Sequence, residues 1–272
     1  MKTRVITAAI LVPLLLIILL ALPKVVTAIL FGILAAIAVY ELLMGTGYIK
    51  QFRLVAYCML MAFAVSMWCS YGAPRVWAIV GILVFIMILF TEMMLSHIKL
   101  RFEKICICAV VGMLIPFLLT ALVRIHADNN YGRYFIMIPF LLAFISDSGA
   151  YFAGSYLGKH KLAPAISPKK TVEGAIGGVL AAVASMLLFA LILDVAFGFQ
   201  VRYGYALIYG VVGSLMSVFG DLCFSVIKRQ TGIKDYGNLI PGHGGVLDRF
   251  DSMLIVAPVT EVLLILIPLA VK

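Results

Sequence analysis

Nine long runs of almost uninterrupted apolar residues constrain this chain more than any motif in it. They lie at about 5–22, 25–43, 54–71, 76–95, 105–123, 134–154, 174–193, 203–226 and 253–271. Each comes close to the ~20 residues that a helix needs to cross a bilayer. A backbone inside hydrocarbon must satisfy its own N–H and C=O groups, which leaves helices and closed barrels. Barrel strands alternate apolar and polar residues in short segments, and these runs do not. The expected fold is all-α: a polytopic integral membrane protein of about nine transmembrane helices, with a polar cytoplasmic loop before the last. Composition agrees, since 64% of the 272 residues are hydrophobic and 12% charged, against roughly half and a quarter in soluble domains. The opening Met-Lys-Thr-Arg and its apolar run look like a secretion signal. That run exceeds the usual h-region of ~7–15 residues and a second follows at once, so an uncleaved first helix is expected.

The formal charge of +9 would suit a nucleic-acid partner, but its distribution argues against one. With the N-terminus inside, fifteen of the 21 basic residues fall in cytoplasmic segments: Lys2, Arg4, Lys50, Arg53, Lys99, Arg101, Lys104, Lys159, Lys161, Lys169, Lys170, Lys228, Arg229, Lys234 and Arg249. The positive-inside rule then orients the chain N-in and, with nine spans, C-out. Residual charge attracts anionic lipid headgroups. The five cysteines lie in or beside apolar runs without metal-site spacing and read as small packing residues.

Two regions are expected: a scaffold of about five helices over 1–130, and a catalytic transmembrane region over 131–272 with cytoplasmic loops 155–173 and 227–252. In the first region, Glu41 and Glu92 fall near helix ends, where an interfacial position costs little. In the second, Asp147 and Asp221 lie inside apolar runs. A carboxylate there costs about 2.5–3.5 kcal/mol on insertion scales, which points to function. Gly154 and Gly158, and Gly174 and Gly178, form GxxxG pairs that close helix packing alone would explain.

Offsets of four, seven and eight place Asp221, Ser225, Lys228 and Arg229 on one helix face. The two cations could mark the membrane boundary; that reading leaves Asp221 unexplained. Beyond them runs Pro241-Gly242-His243-Gly244-Gly245, whose glycines would let backbone N–H groups approach a phosphate. Asp248, Arg249 and Asp251 follow, and one helical turn would bring both aspartates to one side. Hard cations such as Mg²⁺ take one or two carboxylates together with substrate phosphates, so Asp221 and Asp248 are candidates to share a metal. Surface pairing of Asp248 and Asp251 with Arg249 or Lys234 is the alternative. In the earlier loop, Ser167-Pro168 reads as an N-cap with proline at the first helical position. Lys169, Lys170 and Thr171 would then occupy the first turn, where cations are unfavourable unless an anion binds there too. A topology signal would also explain the lysines.

The pattern S-x-x-K-R-x4-K-D-x-G-x2-I-P-G-H-G-G-x2-D-R-x-D over 225–251 resembles the signature of the phosphatidate cytidylyltransferases (CDP-diacylglycerol synthases). The block SPKKTVEG over 167–174 is similar to a second block of that family. The resemblance implies that CTP and phosphatidic acid give CDP-diacylglycerol and pyrophosphate with Mg²⁺, in a polytopic homodimer of the bacterial inner membrane. It implies metal ligands at Asp221 and Asp248; the residues themselves add Asp147 and Asp251 as further candidates, with a second cation as an option. Lys228, Arg229 and Arg249 would face pyrophosphate. Ser167, Lys169, Lys170, Thr171, Ser225, Lys234, Asp235, His243, Gly244 and Gly245 would contact the substrates. The rival readings are a secondary transporter with ion-binding aspartates and a CTP-dependent lipid kinase.

Overall fold

Proline, glycine and short polar breaks decide where the apolar runs become separate helices. The computed structural model describes residues 2–71, 75–96, 99–128, 131–240, 242 and 244–271. Contacts divide the chain into two units, Met1–Arg133 with Gln230–Phe250, and Tyr134–Arg229 with Asp251–Lys272.

In the first unit, α1 (Lys2–Ala21) is followed at Pro23 by α2 (Lys24–Tyr40), which widens into a π turn over Glu41–Gly45. Then come α3 (Phe52–Tyr71), α4 (Arg75–Leu95), α5 (Phe102–Leu119) and α6 (Ala121–Ala127). α2 packs on α3, and α3 on α5, around Phe31, Val55, Cys58, Ala62 and Cys108. Short α7 begins at Gly132 and runs to Phe135; α12 (Leu247–Phe250) closes the later segment of the unit.

The second unit holds α8 (Met137–Phe140), a π turn over Leu141–Ile145, and α9 (Ser146–Leu157). A hairpin of β1 (Lys161–Ala163) and β2 (Ser167–Thr171) follows, then α10 (Val172–Phe197) and α11 (Tyr203–Gln230). α13 spans Met253–Leu266, and a second strand pair joins β3 (Gln200–Val201) to β4 (Ala270–Val271). α9 lies tightly along α10 because the seam is built from bare backbone. A Cβ on Gly149 would meet Ala181 and come within 3.0 Å of the Gly177 carbonyl oxygen; one on Gly177 would strike Ala153. Small residues of this kind let membrane helices approach closely.

Among the described residues, seven helical segments are long and apolar enough to cross a membrane: Lys24–Gly45, Phe52–Cys69, Val76–Leu95, Phe102–Ala127, Gly132–Leu157, Val172–Phe197 and Tyr203–Gln230. The protein is an integral membrane protein with multiple spans. The ninth expected span is shorter than 253–271, because Pro268 disfavours the helical conformation at the residue before it. Ile267 is accordingly turned out of the helix, at φ −136° and ψ 71°.

Candidate active site

In the second unit, three carboxylates and two lysines gather from the start of α9, the C-terminal half of α11, β2 and the turn before α13. Asp147 is the second residue of α9, directly after the π turn, and is exposed. Ser217 of α11 donates to its Oδ1 at 3.4 Å, and the hydroxyls of Ser146 and Ser214 pair at 2.6 Å, tying the two helices together. Asp221 lies farther along α11. The buried ammonium of Lys170, from β2, forms an ion pair with its Oδ2. Lys228 stands 3.8 Å from Asp251 Oδ2, and both side chains are largely enclosed. Gly220 lets the turn at Asp251 and Ser252 close on α11, since a Cβ there would sit 3.0 Å from Ser252 Cα. Asp221 repels Asp147 and Asp251, whereas Lys170 attracts Asp147 and Lys228 attracts Asp251. Burial pushes the Asp251 carboxyl up to about 7; repulsion from Asp221 adds to this and Lys228 opposes it. Three carboxyl groups thus face two ammonium groups, and the raised Asp251 holds its proton into the neutral range.

Local chemistry explains how Lys170 reaches this cluster, and it corrects one expectation. Ser167 does not cap a helix and Lys169 and Lys170 are not in a first turn: 167–171 is a strand, paired Lys161 to Thr171 and Ala163 to Ser167. α10 starts four residues later than the Ser-Pro pair suggested, because Thr171 is the cap, its hydroxyl accepting the N–H of Gly174 at 3.1 Å. Pro168 is tolerated in an isolated two-stranded ribbon, where both strands are edges. The two lysines therefore meet no helix dipole, and Lys170 instead forms an ion pair with Asp221. Glu173 braces the hairpin by accepting the backbone N–H of Lys159 at 3.1 Å and the ring nitrogen of His160 at 2.6 Å. Arg229 Nε donates to the Ile166 carbonyl at 3.0 Å, fastening the hairpin to the end of α11. Ser225 is buried on α11, and Lys169 is exposed.

The loop residues belong to the first unit. Asp248 opens toward its own loop, its Oδ2 accepting the N–H of Tyr236 at 2.8 Å and of Gly245 at 3.1 Å. Gly244 adopts φ +84°, a left-handed conformation that favours glycine, with Asp248 beside it. Lys234, Asp235 and Arg249 are exposed and Gly245 is buried. Pro241 and His243 lie outside the described residues. α12 ends between Asp248 and Asp251, which fall in different units.

Glu41, whose place near a helix end suggests an interfacial position, instead lies against this loop. Glu41 is buried and binds the backbone N–H of Val246 and Leu247. The signal was present in the sequence: a carboxylate in an apolar run, the criterion that singled out Asp147 and Asp221. Glu41 also lines a cavity of 740 Å³ with Ile37, Met44, Phe52, Met59 and Leu239.

These features define, as a class, a polytopic membrane protein with an acid-rich cluster of carboxylates and lysines. The chain belongs to the cytidylyltransferase family, whose model it matches over residues 2–267. It is 36% identical over 178 residues to the phosphatidate cytidylyltransferase of Staphylococcus saprophyticus subsp. saprophyticus, covering 65% of this chain and 66% of that protein. Identity to the protein of that name from Staphylococcus haemolyticus is 35% over 181 residues, 66% of each. With the one from Staphylococcus aureus strain COL it is 41% over 140 residues, 52% of each. The matches thus span just under two thirds, or about half, of those relatives' own lengths.

Proposed function

We propose that this protein transfers CMP from CTP to phosphatidate, yielding CDP-diacylglycerol and pyrophosphate. The observation that carries the reading is the family match along the chain, with relatives named for this activity. The chemistry of the cluster supports it. A lipid phosphate oxygen attacks the α-phosphorus of CTP, the α–β phosphoanhydride bond breaks, and pyrophosphate leaves. The nucleophile is already an anion and needs little help from a base. The obstacle is repulsion between two anions, so positioning and charge neutralisation should dominate.

Carboxylate oxygens are the donors that suit a hard divalent cation such as Mg²⁺. Among the described residues, no three His, Cys, Asp or Glu side chains are grouped so that they could hold a metal ion. Mg²⁺ does not need such a group, because it keeps waters and substrate phosphates as ligands. Asp221 would hold it, with Asp248 assigned by the sequence motif and Asp147 and Asp251 as further carboxylates for it or a second cation. Bound there, it would neutralise charge on the nucleotide phosphates. Lys170 would exchange Asp221 for a substrate phosphate, and Lys228 and Arg249 would face pyrophosphate. Arg229 would add its charge while it holds the hairpin. Ser167, Lys169, Thr171, Ser225, Lys234, Asp235, His243, Gly244 and Gly245 complete the proposed substrate contacts. Cytoplasmic placement of both loops and assembly as a homodimer belong to the same proposal, the former supported by the distribution of basic residues.

The test is transfer of label from CTP marked at its α-phosphate into the lipid phase, with phosphatidate and Mg²⁺ in detergent micelles. Wild type should label lipid, and Asp221→Asn and Asp248→Asn should do so on the order of 10²-fold more slowly. Release of CDP with an unlabelled lipid product would favour a kinase instead. No labelled lipid from folded wild type would overturn the proposal.

A further inference from the structure

The loop that carries Asp248 is gripped by a side chain to which the proposed reaction gives no part. Glu41 opens the π turn at the end of α2, and only 3% of it is exposed. Its Oε1 accepts the N–H of Val246 at 3.0 Å and its Oε2 that of Leu247 at 2.7 Å. These two donors lead into α12, where the first N–H groups of a helix have no partner within the helix itself. Asp248 is the next residue, and it ties back to Tyr236 and Gly245.

The loop is also shaped around this carboxylate. A Cβ on Gly245 would come within 2.5 Å of both Glu41 oxygens, and one on Gly237 would strike Oε1. At the other end of the π turn, a Cβ on Gly45 would strike the Tyr236 carbonyl. The end of α2 therefore meets the loop on both arms, at 236–237 and at 245–247.

We propose that Glu41 is a positioning residue, whose two carboxylate oxygens set the place and orientation of Asp248 through the backbone of Val246 and Leu247. The inference rests on the reading of Asp248 as part of the cytidylyl-transfer site. Two N–H groups converge on two oxygens, so a carboxylate suits the position and an amide does not. Glutamine offers one oxygen and turns an NH₂ toward the second N–H.

The experiment compares wild type, Glu41→Gln and Gly237→Ala as full chains in detergent. Hydrogen exchange of the amides over 244–248 is read by mass spectrometry, and initial rates are measured with CTP varied. Both variants should exchange these amides at least about tenfold faster, with α2 and α3 unchanged. In both, kcat should fall by about tenfold to 10²-fold, with little change in KM for CTP. Unaltered exchange in Glu41→Gln, or faster exchange with kcat within about twofold of wild type, would overturn the proposal. So would a uniform rise of exchange across α2 and α3, which marks a merely structural role. Wild type that transfers no CMP would instead overturn the cytidylyl reading, whatever the exchange shows.

Discussion

Asp251 is a carboxylate whose ionisation the fold opposes. Burial comes first and the charge of Asp221 second, and together they raise it to about 7 despite Lys228. The sign of the resulting pH effect follows from linkage. Between the ordinary carboxylate range and about 7, the folded protein holds a proton that the unfolded chain has lost, so stability falls as pH rises through that window. In metal-free buffer, thermal melting in detergent should occur at lower temperature at pH 8 than at pH 6, and Asp251→Asn should flatten that difference. An unchanged pH dependence in the variant would place the titrating group elsewhere. Residue type and hydropathy made Asp147 and Asp221 legible, since neither belongs in an apolar run. Glu41 meets the same criterion, but its position near a span end offers an inexpensive interfacial alternative. Only the loop folded onto it reveals what it holds.

For whole elements, hydropathy located the spans and local capping chemistry placed their ends. The runs at 174–193 and 203–226 became α10 and α11, longer than the apolar cores that announced them. Between the spans, two hydroxyl residues competed to start α10. Ser167 had a following proline in its favour, but Thr171 has Gly174 three residues on, where its hydroxyl finds an N–H. The strand that results delivers Lys170 to Asp221. Thr171→Ala should therefore cost about 1 kcal/mol of stability, read as a lower melting temperature in detergent, and loosen the hairpin toward proteolysis. Thr171→Ser, which keeps the hydroxyl, should behave nearly as wild type. If alanine and serine variants melt alike, the cap contributes nothing. The π turns were not legible at all, because a widened turn leaves no mark on hydropathy.

Over the whole molecule, the asymmetry of charge carries information that no single element does. Fifteen of 21 basic residues fall on one side of the expected topology, including all those around loops 155–173 and 227–252. An orientation with these loops facing the cytoplasm would put them where nucleotides are. Single cysteines replacing Lys234 and Arg202, in a background cleared of the five native thiols, provide the check. A membrane-impermeant maleimide added to intact cells should label the Arg202 site and spare the Lys234 site until the membrane is opened. The reverse pattern would invert the chain and overturn the proposed cytoplasmic placement of its loops. The division into two units adds a second property. Because Gln230–Phe250 belongs with the N-terminal helices, the backbone passes between units on either side of this loop, and no single cut separates scaffold from chemistry.

The π turn at Leu141–Ile145 gives the helix ahead of Asp147 a history as well as a shape. A π turn closes its hydrogen bonds one residue later than an α turn, so it behaves as a single-residue insertion absorbed without breaking the rod. At 3.6 residues per turn, regular α-helix would turn everything beyond this point by about 100° for the extra residue, which the wider turn takes up instead. The face that presents Asp147 to Ser217 is thus out of phase with the helix that precedes it. Winding the same residues as ordinary α-helix would leave hydropathy and span length almost untouched, yet swing the carboxylate about a quarter-turn around the axis. Along this stretch, the backbone hydrogen-bond pattern is as much a determinant of the site as its side chains.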